Sequence, residues 1–292
     1  MRLLIGFVCA AFFFAASWAQ VPAKFDQHVL QVGTLKRSYS AYVPATTGPD
    51  KPLLILLHGR LASGNAIRAN AGGGFEQLAD REGFTIAYPD AMYGFWHDCR
   101  PADVAKTASH AERVDDVGFL RALVQDAVAK YGVDRAKVFL FGFSNGGLMA
   151  MRMAWEASDD IAAIAVIAAN MPKEHACARS AKTPPIMFVE GTADKIMPYD
   201  GGPIAFGTGM VHSARETAAA FGKANNLGEP GPESDTPALS SDPGAVRLLT
   251  WRRDGRPFVA LYTVRGAGHE IPRPSQGVFD TPATVWNFFK SR

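Results

Sequence analysis

The chain alternates between short apolar runs and longer stretches in which apolar residues recur at helical spacing. Leu53–Leu57 and Ile161–Ala168 are continuous apolar runs, which are typical of strands buried on both faces of a parallel sheet. Val117–Tyr131 and Gly146–Glu156 carry apolar residues three and four positions apart, which predicts helices. Strands that alternate with helices indicate an α/β fold with a mostly parallel central sheet and helices on both faces.

The remaining segments extend this alternation to both ends of the chain. Phe25–Val32 and Leu35–Val43, separated by Gly33-Thr34, predict an N-terminal antiparallel hairpin. Leu227–Gly244 is rich in Gly, Pro, Ser and acidic residues, which predicts a surface loop, and too little chain follows it for a second domain. The other predicted strands are Phe84–Tyr88, Val138–Phe141, Ile186–Val189, Val246–Trp251 and Phe258–Val264, and the other predicted helices are Phe75–Glu82, Val211–Asn225 and Thr281–Lys290.

The first nineteen residues have the pattern of a secretory signal peptide. Arg2 supplies the positive charge, Leu3–Ala16 forms the apolar region, and Ser17-Trp18-Ala19 provides a small-x-small cleavage site. A transmembrane anchor is the alternative, but this apolar run is shorter than the roughly 20 residues that a spanning helix needs. We therefore expect a secreted protein, periplasmic or extracellular, whose residues 20–292 form a single domain.

Charge and cysteine content narrow the functional classes further. Arg2 is the only charged residue of the predicted signal, so its removal lowers the formal charge from +2 to +1. A nearly neutral chain gives no electrostatic basis for binding nucleic acid or an anionic membrane surface. Cys99 and Cys177 remain, and in an oxidising compartment we expect them to form a disulfide, with two free buried thiols as the alternative. Neither has the histidine spacing of a zinc site, so we expect no metal.

The segment around Ser144 carries the clearest chemical signal. Gly142 and Gly146 flank this serine two positions away on either side, at the junction of a predicted strand and a predicted helix. Gly-x-Ser-x-Gly in that context predicts the nucleophile elbow of the α/β-hydrolase fold, in which a strained turn lifts the hydroxyl above the sheet. A serine that merely caps a helix is the alternative.

A serine nucleophile needs a base, which in this fold follows it in the chain after an acid. Three histidines follow Ser144. His269 lies in a loop of small residues between the last predicted strand and the last helix, which is where the base is expected. His212 is predicted on a surface helix and His175 in a polar loop, so we assign His269 as the base.

The predicted acid lies in the loop that follows the strand Ile186–Val189. A carboxylate there can accept a hydrogen bond from the imidazole, which fixes its tautomer and stabilises its charged form. We assign Asp194, with Asp200 and Glu190 as alternatives.

The oxyanion of an acyl-transfer intermediate requires two N–H donors. The backbone of Asn145, the residue after the nucleophile, should supply one, and the backbone of Arg60 in the loop after the first central strand should supply the other. His58 in the same loop precedes the serine, and we assign it a role in shaping the loop instead of catalysis.

Several motifs in order along the chain resemble those of a known family. The matching segments are residues 39–44, 57–59, 79–89, 114–119, 142–147, 191–198 and 266–269, together with Trp96. On these segments the chain resembles secreted polyhydroxybutyrate-depolymerase-like and feruloyl-esterase-like α/β-hydrolases.

The resemblance implies hydrolysis of carboxylic esters, small or oligomeric, without a metal or organic cofactor. It implies Ser144, Asp194 and His269 as the catalytic triad. It also suggests that Trp96 shapes the substrate pocket, with a core tryptophan as the alternative. Asp115 and Asp116 could be mistaken for a catalytic pair, but helix capping and loop bracing are the expected roles.

Three positions depart from the family pattern near the predicted site. Glu190 stands where a His is usual before Gly-Thr-x-Asp, Ile271 replaces a Trp after the catalytic His, and Arg60 follows His-Gly where a small residue or Cys is usual. These changes bear on substrate identity more than on reaction type. A peptidase or acyltransferase on the same scaffold is the alternative function, and a non-catalytic binding protein is a third hypothesis. The sequence does not indicate an oligomeric state or the natural ester.

Overall fold

A computed structural model of the protein describes residues 24–46, 48–178, 180, 182–236, 242 and 244–292. The predicted signal peptide therefore lies outside the described residues and stays a prediction. Among the helices of these ranges, none combines the length and the apolar character needed to cross a bilayer.

Within the described residues, ten strands form one sheet, and two more form a small separate ribbon. In chain order the strands are β1 (Lys24–Val32), β2 (Leu35–Val43), β3 (Lys51–Leu57), β4 (Thr85–Pro89), β5 (Val133–Phe143), β6 (Ala163–Ile167), β7 (Ile186–Gly191), β8 (Gly202–Pro203), β9 (Met210–Val211), β10 (Ser234–Asp235), β11 (Val246–Arg253) and β12 (Arg256–Val264). The sheet order is β1-β2-β4-β3-β5-β6-β7-β12-β11-β10, and β8 pairs with β9 in the ribbon. The six strands from β4 to β12 in this order are parallel, and antiparallel strands flank them on both edges.

Helices connect the parallel strands and cover both faces of the sheet. They are α1 (Gly64–Ile67), α2 (Gly73–Glu82), α3 (Ala102–Ala105), α4 (Ala108–Ala111), α5 (Asp116–Tyr131), α6 (Asn145–Glu156), α7 (Ala214–Ala224) and α8 (Thr281–Phe289). Leu123, Met149 and Phe221 place α5, α6 and α7 in the apolar core on one face. Phe75 and Trp286 place α2 and α8 in the core on the other face. The α/β-hydrolase architecture predicted from the sequence is thus confirmed, including the N-terminal hairpin.

The boundaries of the elements differ from the sequence prediction in two instructive places. β5 begins at Val133, five residues before the predicted start. The sequence did not predict this first part of the strand because Asp134 to Lys137 lack buried apolar residues. The short helices α1, α3 and α4 were not predicted, since each is only four residues long and shows no apolar periodicity.

The sheet order brings three loops to one edge. β5, β7 and β12 run parallel, with β6 between the first two, so the loops at their carboxyl ends open on the same side. Open sheets of this kind bind ligands at that edge. Ser144, Asp194 and His269 follow these three strands.

Candidate active site

Ser144 lies on a sharp turn between β5 and α6. Its backbone has φ 54° and ψ −118°, a conformation that non-glycine residues rarely adopt and that stores strain. A Cβ at Gly142 would lie 2.3 Å from the carbonyl oxygen of Gly146, and a Cβ at Gly146 would lie 2.2 Å from that of Leu57. Only glycine fits at both positions, which explains why this strand and helix can approach closely enough to expose the serine.

The structure brings Ser144, His269 and Asp194 into one hydrogen-bonded chain. His269 Nε2 lies 2.9 Å from Ser144 Oγ, and His269 Nδ1 lies 2.7 Å from Asp194 Oδ2. A carboxylate only accepts, so Nδ1 donates to Asp194, and Nε2 of the neutral ring is left to accept from the serine hydroxyl. The arrangement can therefore move the serine proton to the imidazole.

The Asp194 carboxylate is held by its own loop. Its Oδ1 accepts hydrogen bonds of 2.8 Å from the N–H groups of Ile196 and Met197, while its side chain is fully buried. The acid loop is tied to the base loop by the Ala193 N–H, which donates to the Ala267 carbonyl over 2.9 Å. These contacts fix the orientation of the imidazole before any substrate arrives.

The alternative residues considered from the sequence lie outside this chain of hydrogen bonds. Asp200 is exposed, and Glu190 is buried against the backbone of Ala169. His212 pairs with Glu216 at 3.8 Å, and His175 packs against a tryptophan ring. None of them contacts the Ser144 hydroxyl or the His269 ring.

Glu190 is a buried acid close to the candidate triad. Its Oε1 accepts from the Ala169 N–H at 3.1 Å, while its Oε2 has no hydrogen-bond partner among the described residues. Burial raises the pKa of Glu190 well above its ordinary value, the Ala169 N–H offsets part of the rise, and the negative charge of Asp194 adds to it. Glu190 therefore keeps its proton to a higher pH than an exposed glutamate does.

We expect Glu190→Gln to raise the melting temperature relative to the wild type, and to raise it more at pH 8 than at pH 5. The pKa of Glu190 is higher in the folded state, so the folded chain keeps a proton that the unfolded chain releases above pH 4.5. The free energy of unfolding of the wild type therefore falls as the pH rises above that value. Glutamine is neutral in both states and escapes this loss. Calorimetry at both pH values measures the difference. The exposed Glu174→Gln serves as control, and equal shifts at the two pH values would contradict the raised pKa of Glu190.

A cavity of about 440 Å³ opens above the serine. Ser144, His269, Asn145 and Arg60 all line it, together with apolar side chains such as Leu148. Its size suits a small-molecule ligand.

Trp96 is not among the residues that line this cavity, and its role in shaping the substrate pocket stays a prediction. Its side chain is completely buried, its indole N–H donates to the His58 carbonyl at 3.0 Å, and its backbone N–H donates to Asn145 Oδ1 at 2.8 Å. The indole therefore joins the loop after β3 to the residue after the nucleophile. This is the core role that the sequence left open as the alternative.

Asn145 and Arg60, the two residues predicted to supply the oxyanion donors, both line the cavity. Asn145 is the first residue of α6, so its N–H has no acceptor within the helix. In the loop after β3, the Leu61 N–H donates to Gly94 and the Ala62 N–H donates to Gly59. These two groups are thus occupied, which leaves the Arg60 N–H as the predicted second donor.

A buried charged network behind Asn145 was missed by the sequence analysis. Asn145 Nδ2 donates to Asp98 Oδ2 at 2.8 Å, and Asp98 pairs with Arg100 through contacts of 2.6 and 2.9 Å. Burial alone would raise the pKa of Asp98, but the charges of Arg100 and His110 outweigh burial and lower that pKa below its usual range. The network fixes the side chain of Asn145, whose backbone is a predicted oxyanion donor. The available signal was a run of Asp, Cys and Arg at 98–100, which is too short to interpret without the fold.

Cys99 and Cys177 form the predicted disulfide, 78 residues apart in the chain. We expect replacement of both by serine to lower the free energy of unfolding by about 4 kcal/mol, because the bond constrains a long loop of the unfolded chain. Urea denaturation measures this loss. An unchanged unfolding midpoint would contradict the prediction.

His58, Asp115 and Asp116 have the bracing roles expected from the sequence. His58 Nε2 accepts from the Ala91 N–H at 3.0 Å, and burial lowers the pKa of His58, which keeps the ring neutral. Asp115 caps the N-terminus of α5. Asp116 is buried and accepts from Arg37 at 2.6 Å and from the backbone N–H of His97 at 2.7 Å.

Comparison with known proteins agrees with this fold. NocK from Nocardia uniformis subsp. tsuyamanensis is 31% identical over 234 residues, which cover 76% of this chain and 66% of NocK. Feruloyl esterase B from Piromyces equi is 27% identical over 232 residues, covering 75% of this chain and 40% of that protein. Thus the chain spans less than two thirds of the length of these relatives. The structure of acetyl xylan esterase from Aspergillus awamori shares the fold, with a TM-score of 0.65 at 14% identity over 91% of this chain and all of that one.

The family model described as Esterase PHB depolymerase matches residues 37–223, which include the predicted nucleophile and acid. This match spans more than half of the chain, so the protein belongs to the Esterase PHB depolymerase family.

Proposed function

We propose that the protein is a serine esterase that hydrolyses carboxylic esters through an acyl-enzyme. The observation that carries this proposal is the hydrogen-bonded chain from Asp194 through His269 to Ser144, which ends in a cavity large enough for a small ester. Its residues have the order and the positions at strand ends that nucleophilic catalysis requires.

In the proposed mechanism Ser144 Oγ attacks the ester carbonyl carbon while His269 Nε2 takes the hydroxyl proton. The oxyanion of the tetrahedral intermediate accepts hydrogen bonds from the N–H groups of Asn145 and Arg60, and the strained turn holds the nucleophile in place. The intermediate collapses as the alcohol departs with the proton from His269. Water then attacks the acyl-enzyme, with His269 as base again, and releases the carboxylic acid and free Ser144.

The relatives narrow the proposed substrate to two kinds of ester. They include proteins named feruloyl esterase B, poly(3-hydroxybutyrate) depolymerase and acetylxylan esterase/xylanase. We propose a hydroxyalkanoate-type ester, or a feruloyl or acetyl ester of a polysaccharide, as the substrate. Apolar residues such as Phe143, Leu148 and Met197 in the cavity wall suit an aliphatic or aromatic acyl group.

We propose that the protein acts outside the cytoplasm. The disulfide between Cys99 and Cys177 is stable in oxidising compartments, and the signal-like segment 1–19 would direct export. Cleavage after Ala19 would place Gln20 at the mature N-terminus.

The proposed reaction class is tested by an active-site probe and a matched pair of substrates. A fluorophosphonate should label the protein at Ser144 and abolish its activity, as identified by mass spectrometry of the labelled peptide. 4-Nitrophenyl butyrate should be hydrolysed, and the anilide of the same acid should be turned over far more slowly. Labelling at another residue would exclude the proposed nucleophile, and preferential cleavage of the anilide would point to a peptidase.

A further inference from the structure

The cavity above Ser144 has an unbalanced charge. Three cationic residues, Arg60, Arg100 and Lys106, line it, and no Asp or Glu among the described residues does so. Binding of neutral esters does not explain such an excess of cations in the cavity wall.

The three cations differ in how much of their charge reaches the cavity. Arg100 is nearly buried and forms a two-point ion pair with Asp98, so its charge is largely balanced from behind. Arg60 and Lys106 form no ion pair within the described part of the chain, and both are exposed. Arg60 and Lys106 therefore supply the net positive charge of the cavity.

The Arg60 guanidinium packs against aromatic rings, and the backbone of Lys106 is fixed by the turn that ends α3. The Arg60 guanidinium lies 4.6 Å from the ring centre of Phe206 and 5.6 Å from that of Phe95. Lys106 ends α3 in a left-handed conformation with φ 54°, and its N–H donates to Ala102 in the turn. Arg60 comes from the loop after β3 and Lys106 from the end of α3, so two separate segments bring positive charge to the same space.

We propose that the preferred substrate is an ester that also carries a free carboxylate, which Arg60 and Lys106 bind while Ser144 attacks the ester carbonyl. The inference rests on the proposed esterase function and names the substrate class for the same site. A cavity with apolar walls strengthens the field of its cations, so an anionic group gains more there than at an open surface. An Arg fork also matches the two oxygens of a carboxylate.

The carboxylate could belong to the acyl part or to the alcohol part of the ester, and two pairs of substrates distinguish these sources. Mono(4-nitrophenyl) adipate and 4-nitrophenyl adipamate differ only in a carboxylate or a neutral amide on the acyl side. 3-Carboxyphenyl butyrate and 3-carbamoylphenyl butyrate differ in the same way on the alcohol side. Each kcat/KM is divided by the rate constant for hydrolysis of the same ester by hydroxide, which removes differences in the intrinsic reactivity of the esters.

In at least one pair, we expect the corrected kcat/KM of the wild type to be about fivefold higher for the carboxylate ester than for the amide, since a partly exposed charge pair contributes up to about 1 kcal/mol. The preference should shrink at high salt because the charges are screened. Lys106→Gln should remove most of it, Lys106→Glu should reverse it, and Lys106→Arg should keep it. The matched control is Lys36→Gln, an exposed lysine on β2 away from the cavity, which should leave the ratio unchanged.

Equal rates for carboxylate and amide in both pairs would overturn the inference, and so would a preference that survives Lys106→Glu. Either result with continued hydrolysis of the neutral esters would leave the proposed esterase function standing. Failure of the wild type to hydrolyse any of the four esters, without fluorophosphonate labelling of Ser144, would contradict the esterase function and this inference together.

Discussion

Ser144→Ala is expected to lower kcat on a short-chain aryl ester by about 10⁴- to 10⁶-fold. The alanine has no hydroxyl to attack the carbonyl, so His269 has no nucleophile to activate and no acyl-enzyme can form. The oxyanion donors and the cavity remain, which is why the residual rate should still exceed that of water alone. Steady-state kinetics on 4-nitrophenyl butyrate, with protein checked for contaminating esterases, measures the loss.

The control for this variant is Ser275→Ala, an exposed serine six residues after His269. It also loses a serine hydroxyl but lies outside the lining of the cavity, so it should retain full activity. The melting temperature of Ser144→Ala should match or exceed that of the wild type, because the substitution removes no buried packing and only a partly exposed hydrogen bond. Wild-type activity in Ser144→Ala would remove this serine from the mechanism.

The order of elements and the three candidate triad residues could be predicted from the sequence because each depends on local patterns. Buried parallel strands are continuous apolar runs, and Gly142 and Gly146 around Ser144 mark a turn that tolerates no side chain. His269 and Asp194 were then restricted by chain order and by the strands that they follow. The sheet order β5-β6-β7-β12 brings all three to one edge.

The surroundings of the site could not be predicted because they depend on contacts between distant segments. Trp96 contacts Asn145 across 49 positions, so the sequence could not decide between a pocket wall and a core brace. The Asp98 network behind Asn145 likewise depends on a contact between residues that are far apart in the chain. For Glu190 the deciding factor is complete burial, which raises its pKa. Residue type alone would not have indicated that shift.

Asp194→Asn is expected to lower kcat by about 10⁴-fold while leaving the fold intact. Asparagine can still accept from the N–H groups of Ile196 and Met197 through its Oδ1. Its Nδ2 group would then face His269 Nδ1 and could only donate to it. The imidazole would therefore have to adopt the tautomer that carries its proton on Nε2. That nitrogen could no longer accept the Ser144 proton, and the positive charge formed on the imidazole would lose its carboxylate partner. Kinetics on 4-nitrophenyl butyrate at pH 7 to 9 measures the loss.

Asp200→Asn, in the same loop but exposed, is the matched control and should keep nearly all of the activity. Glu190→Gln should do the same, because Glu190 lies outside the hydrogen-bonded chain that joins Asp194, His269 and Ser144. If Asp200→Asn or Glu190→Gln abolished turnover while Asp194→Asn did not, the acid of the triad would have to be reassigned. Fluorophosphonate labelling gives an independent check, since Asp194→Asn should label much more slowly than the wild type at the same Ser144. A loss of activity without slower labelling would mean that Asp194 acts after the attack on the ester and does not orient the base.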